Sequence, residues 1–141
     1  MTIMSTVDKK LIAGSPILHT DDYEATLNYY RDVLGFAICW SVTGYGPGYG
    51  AVERDGVEFN ISGKTSDVDR LRNAQPYNQT CDIYIYVREI DELCNELKSR
   101  GADCIYGPED QAYGMREFTI RDINGYKLCF GQDISMDPEH P

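Results

Sequence analysis

Three signals recur along the chain in one order and at nearly one spacing. Asp22, ahead of a helical pattern, returns as Glu89 after 67 residues; Gly35, closing that pattern, returns as Gly101 after 66; Gly56, in a tight turn, returns as Gly125 after 69. The helical patterns are DDYEATLNYYRDVLG at 21–35 and EIDELCNELKSRG at 89–101, and each is followed by two alternating runs about a turn, GAVERDGVEFNI at 50–61 and EFTIRDINGYKLCF at 117–130. Asp55 with Gly56, and Asp122, Asn124 and Gly125, suit the reversals, because short polar side chains and glycine accept the backbone of a tight hairpin. A repeat of this kind implies duplication. The chain therefore reads as α+β, with two tandem βαβββ modules at 14–62 and 81–131. A lead-in at 1–13, a connector at 63–80 and a frayed tail at 132–141 complete it.

A module of about 55 residues is marginal alone, so the copies are expected to pack on each other or on a second subunit. The formal charge of −10, from 23 acidic and 13 basic residues, argues against nucleic acid or an anionic membrane as partner and favours a cationic ligand. No apolar run approaches a membrane span, and MTIMSTVDKKL lacks a signal-peptide core. The five cysteines, at 39, 81, 94, 104 and 129, form no C-x-x-C pair, and this odd, scattered set suggests reduced thiols in a cytoplasmic protein.

Periodicity assigns the faces. SPILHT at 15–20 reads as a first strand, with Ser15, Ile17 and His19 on the side away from the helix. Asp21 with Glu24 resembles a capping box, and Tyr23, Leu27, Tyr30 and Leu34 form one stripe. FAICWSV at 36–42 is a strand, and GYGPGYG at 44–50 is a turning rim. That rim lacks the lysine and hydroxyl residue of a phosphate loop and sits between strands. In the hairpin that follows, Val57, Phe59 and Ile61 share one face, Glu58 and Asn60 the other. The connector is expected to carry a helical turn near Val68 and Leu71. In CDIYIYV at 81–87, Ile83, Ile85 and Val87 face the second helix, whose stripe is Ile90, Leu93 and Leu97; Asp82, Tyr84 and Tyr86 face away. GPEDQAYG at 107–114 reads as the second module's rim loop.

Two motifs, D-x-E-x-x-x-x-Y-Y-R-D-V-L-G-F at 22–36 and R-E-F-x-x-R-D-x-x-G-Y at 116–126, resemble the vicinal-oxygen-chelate superfamily of glyoxalase I, the extradiol dioxygenases and the bleomycin-resistance proteins. The resemblance covers about residues 13–131 and implies curved mixed sheets around a cavity, and commonly a homodimer, with cavities formed within a chain or across subunits. It places the family's metal-ligand positions at Ser15, Asn60, Asp82 and Cys129. That set contains no histidine and no glutamate, so no metal and no cofactor are expected, and the chain leans away from catalysis.

The side of the sheets carrying those positions also carries Ile17, His19, Glu58, Tyr84, Tyr86 and Lys127. Aromatic faces with a few polar groups suit a small organic ligand, and Asp82 and Glu58 favour a positive one. Trp40 and the rim residues Tyr45, Tyr49 and Tyr113 extend the platform. The ligand-binding candidates are thus His19, Trp40, Tyr49, Glu58, Asn60, Asp82, Tyr84, Tyr86, Tyr113, Lys127 and Cys129. The leading expectation is non-catalytic sequestration of a small aromatic molecule, neutral or cationic, as in bleomycin-resistance-type proteins. The alternative is a lyase, isomerase or dioxygenase of the same superfamily. A base at His19 oriented by Glu58 would serve that alternative.

Overall fold

A computed structural model describes residues 9–44, 46–64 and 81–136. The first module runs β1 (Ile17–His19), α1 (Tyr23–Asp32), β2 (Ala37–Val42), β3 (Tyr49–Arg54) and β4 (Val57–Ser62). The second runs β5 (Ile83–Tyr86), α2 (Ile90–Ser99), β6 (Asp103–Asp110), β7 (Met115–Arg121) and β8 (Lys127–Asp133). The connector's expected helical turn and the rim position Tyr45 lie outside the described residues.

Each module builds one four-stranded mixed sheet, in the order β1-β4-β3-β2 and β5-β8-β7-β6. The first strand of each pairs in parallel with the last, and the other ladders are antiparallel. Ile17 lies opposite Asn60 in one sheet and Tyr84 opposite Cys129 in the other, so the duplication holds residue by residue. The expectation of curved sheets around a cavity is corrected. Among the described residues both sheets are open, with β1 and β2, or β5 and β6, left as unjoined edges, and neither curls closed. Four strands joined in this order leave no partner with which their edges could close.

Local chemistry explains the elements. The Asp22 side chain, rather than that of Asp21, caps α1 by accepting from Ala25 N–H. Tyr23, Leu27 and Tyr30 bury against β2–β4, where Tyr30 meets Phe36 and Phe59 edge-on at 5.7 and 6.1 Å. In α2 the matching stripe is Ile90, Cys94 and Leu97. Gly107–Asp110, expected in a rim loop, instead extend β6. The tail is not frayed at its start, because β8 runs to Asp133 and Ile134 is buried with its N–H donating to the Gly114 carbonyl at 2.9 Å.

One apolar core spans both modules. The hairpin turn of each module docks on the helix of the other. Asp122, at the β7–β8 turn, accepts from the Tyr30 hydroxyl of α1 at 2.7 Å. Arg54, at the β3–β4 turn, makes two 2.9 Å bonds to Glu96 of α2. Among the described residues no helix is long and apolar enough to cross a membrane.

Candidate binding faces

With a helix on one face of each sheet, alternation leaves the opposite face uncovered among the described residues. On the first sheet Tyr49 lies across from Ser62, Ala51 across from Asn60 and Trp40 across from Ala51. The register shift at Cys39 turns Trp40 and Val42 to the uncovered face, where Trp40 and Tyr49 stack at 5.6 Å and 28°. Both rings are exposed rather than core. Asn60 donates to the Tyr49 hydroxyl at 3.3 Å.

His19 shares this face but is not oriented by Glu58. Its register partner is Ser62, and its Nδ1 lies 2.7 Å from the Lys64 carbonyl. A carbonyl only accepts, so Nδ1 carries the proton. Glu58 lies further down β4, opposite Glu53. The two residues sit beside different rungs of the ladder, which separates the expected base from its carboxylate.

On the second sheet the uncovered face is built around a residue that sequence reading passed over. Glu117 in β7 is buried, and its carboxylate accepts from the Tyr84 hydroxyl at 2.5 Å and from the Tyr113 hydroxyl at 2.6 Å. Tyr84 reaches it by crossing β8 over Gly131, where a Cβ would collide with the phenol oxygen. Burial first, and then the bond to Glu117, push the Tyr84 phenol up; the bond to Glu117 leads in pushing Tyr113 up to about 12. Both phenols therefore remain donors at neutral pH, and Glu117 anchors two rings at once. Tyr86, 79% exposed, stands edge-on to Tyr84 at 5.2 Å and 61°. The signal for Glu117 was present in the alternation of β7, since Phe118 and Ile120 face the core and Glu117 and Thr119 must face away.

The remaining candidates fall on the same face. Cys129, opposite Tyr84 and Thr119, is buried, and that burial pushes its thiol up to about 12. Lys127 is buried, and its backbone N–H donates to Asp82 at 2.9 Å. The structure thus divides the expected single site into two groups. His19, Trp40, Tyr49, Glu58 and Asn60 belong to the first sheet; Tyr84, Tyr86, Lys127 and Cys129 belong to the second, with Asp82 just ahead of β5 and Tyr113 in the β6–β7 loop.

The family-implied metal positions do not fit a metal. Ser15 is engaged with the Glu58 carbonyl at 3.1 Å, Asn60 offers only a neutral amide, and Cys129 is held as a thiol. Among the described residues no three His, Cys, Asp or Glu side chains gather as a ligand set. A cavity lies elsewhere, between α2 and the β3–β4 turn, and of the candidate residues it borders only Tyr86.

The model of the Glyoxalase/Bleomycin resistance protein/Dioxygenase superfamily matches residues 13–130. No curated protein matches the chain by sequence. Among solved structures, TnmS3, an antibiotic binding protein from Streptomyces sp. CB03234, is 16% identical with a TM-score of 0.66, over 89% of this chain and 99% of that one. TioX from Micromonospora sp. ML1 is 19% identical with a TM-score of 0.65, over 86% and 99%. A glyoxalase-related enzyme from Clostridium phytofermentans is 21% identical with a TM-score of 0.69, over 90% and 98%. At such identities the likeness concerns the fold.

Proposed function

Because the chain belongs to the glyoxalase/bleomycin resistance protein/dioxygenase superfamily, we propose that it binds a planar aromatic small molecule, neutral or cationic, on the uncovered face of its second sheet. The observation that carries this reading is the Glu117 carboxylate fixing Tyr84 and Tyr113 beside the exposed ring of Tyr86. Neither hydroxyl is free to turn, so the rings meet a ligand with little loss of side-chain entropy. The negative charge beside them reinforces the attraction of their faces for a cation. The antibiotic-binding relative lends the same reading general support, since its fold is shared. A lyase, isomerase or dioxygenase acting through a metal lacks a fitting ligand set among the described residues.

A fluorescence titration against cationic aromatics, neutral aromatics and anionic non-aromatic metabolites tests the proposal. Aromatic compounds bind, and Tyr86→Ala weakens them by about 1–3 kcal/mol while leaving the fold intact. Tight binding confined to anionic, non-aromatic compounds and indifferent to Tyr86 would overturn it.

A further inference from the structure

The duplication supplies an internal control for the cavity between α2 and the β3–β4 turn. Where the β7–β8 turn docks on α1, the junction is filled: Tyr30 and Tyr126 are fully buried, and the His19 N–H donates to the Tyr126 hydroxyl at 3.0 Å. Thr20 donates to Asn124 at 2.8 Å, and Asn124 donates to Thr26 at 3.0 Å, closing the gap with polar contacts. Where the β3–β4 turn docks on α2, the counterparts are Leu97 for Tyr30, Val57 for Tyr126, Val87 for Thr20, Leu93 for Thr26 and Asp55 for Asn124. Val57 and Tyr126 each follow the hairpin glycine, and Leu97 and Tyr30 each end the buried stripe of their helix. Two rings are lost and a polar network with them. What remains is a groove of about 580 Å³, within the range of about 300–1,000 Å³ typical of small-molecule sites.

The groove's chemistry is two-sided. Phe36, Ile85, Leu97 and Phe130 give it an apolar floor. Arg54 and Glu96 neutralise each other at its wall, so the rim presents Asp55, Glu89 and Glu92 against Arg88. At the α2 N-terminus the Ile90 N–H is taken by the Gln132 side chain at 2.9 Å, and the acidic Glu89, Asp91 and Glu92 stand in and beside the first turn.

We propose that this groove is a second binding site, sharing only Tyr86 with the tyrosine face, for an amphiphilic organic cation whose hydrocarbon or aromatic body lies on the floor and whose ammonium meets Glu89 and Glu92. A matched pair of probes, 4-phenylbutylamine and 4-phenylbutyrate, tests it by amide NMR titration of the full chain. The amine shifts Val57, Val87 and Leu93, and the acid binds at least about tenfold more weakly. Val57→Tyr, which restores the ring found at the equivalent junction, abolishes those shifts. Should that variant fail to give a folded spectrum, the double change Glu89→Gln with Glu92→Gln decides, since it leaves the space open and is expected to lower amine affinity about tenfold. Shifts confined to Tyr84, Tyr113 and Trp40, equal affinity for both probes, or no shifts at millimolar amine each overturn the proposal. Glu117→Gln, which alters the tyrosine face and does not line the groove, leaves these groove shifts in place, so the two sites fail separately.

Discussion

The Tyr30 hydroxyl donates to Oδ2 of Asp122 at 2.7 Å, from the helix of one module to the hairpin turn of the other. The second carboxylate oxygen accepts from the backbone N–H groups of Asn124 and Tyr126, both at 2.8 Å. One buried side chain therefore shapes the turn and fastens it to α1. Burial, with Asp82 adding a little, outweighs these donors and pushes the Asp122 carboxyl from 3.8 up to about 6. Loss of a buried donor at such a site costs about 1–3 kcal/mol.

Stability should consequently carry a pH signature from this one group. Between pH 3.8 and about 6 the folded protein holds a proton that the unfolded chain has released. The site's contribution therefore grows as pH falls through about 6. Above that pH, ionised Asp122 weighs against folding by about 3 kcal/mol. Asp122→Asn keeps an acceptor for the turn and removes the ionisation. In urea melts from pH 4.5 to 8, the stability of Asp122→Asn relative to the parent should rise with pH up to about 6 and then level off. Tyr30→Phe removes a donor that holds the pKa down, so its levelling should move to higher pH. A pH-independent difference between Asp122→Asn and the parent would contradict this account.

The opposite junction depends on geometry. Arg54 donates through Nη1 and Nη2 to the two Glu96 oxygens at 2.9 Å each, and through Nη1 to the Leu34 carbonyl at 2.7 Å. It lies over Gly35, where φ is +78° and a Cβ would come within 2.8 Å of the guanidinium. Arg54→Lys keeps the charge and loses the fork. With the pair partly screened by solvent, it should cost about 0.5–1.5 kcal/mol in denaturant melts. A neutral result would show that charge alone holds this junction.

How much of this was legible in the sequence follows from the range over which each feature is set. The stripe Tyr23, Leu27, Tyr30 and the alternation of Ile83 to Tyr86 are local periods, and both helices and most strands could be read from them. Asp22 rather than Asp21 as the cap is a shift of one residue, within the usual reach of boundary errors. Sheet closure is different, because it depends on which edges find partners, and no local pattern specifies that β1 and β5 remain edges. The separation of His19 from Glu58 likewise depends on the β1–β4 register. Glu117 was readable in principle from Phe118 and Ile120. Its two phenol partners come from a different strand and a loop, so only the fold shows the three as one unit.

The uncovered face of the first sheet bears on assembly. Ile17, Trp40 and Val42 are 48%, 43% and 46% exposed there, with Tyr49 stacked beside them. A patch of this kind is costly to leave in water, and a second copy of the chain is the proposed cover. Sedimentation equilibrium should show a dimer at micromolar concentration, and Trp40→Asp should weaken it at least about tenfold by placing a charge in the patch. A parent chain that stays monomeric throughout that range would remove the basis for the proposal.

Two substitutions separate charge from shape at the tyrosine face. Glu117→Gln keeps an oxygen to accept one phenol and removes the negative charge, so a cationic aromatic should lose more affinity than its neutral analogue. Added salt should narrow that difference, since screening weakens the charge contribution and leaves stacking untouched. Gly131→Ala acts otherwise. Its methyl occupies the space through which Tyr84 crosses β8, so the ring must leave Glu117 while the charge remains. Cationic and neutral ligands should then weaken together, by about 1–3 kcal/mol if Tyr84 is an anchor. Circular dichroism and melting temperature would separate a displaced ring from an unfolded sheet, because Gly131 also lies opposite Glu117 in the ladder. If a folded Gly131→Ala protein bound both ligands as the parent does, the tyrosines would not be the contact surface, and the Trp40–Tyr49 face would become the place to look for it.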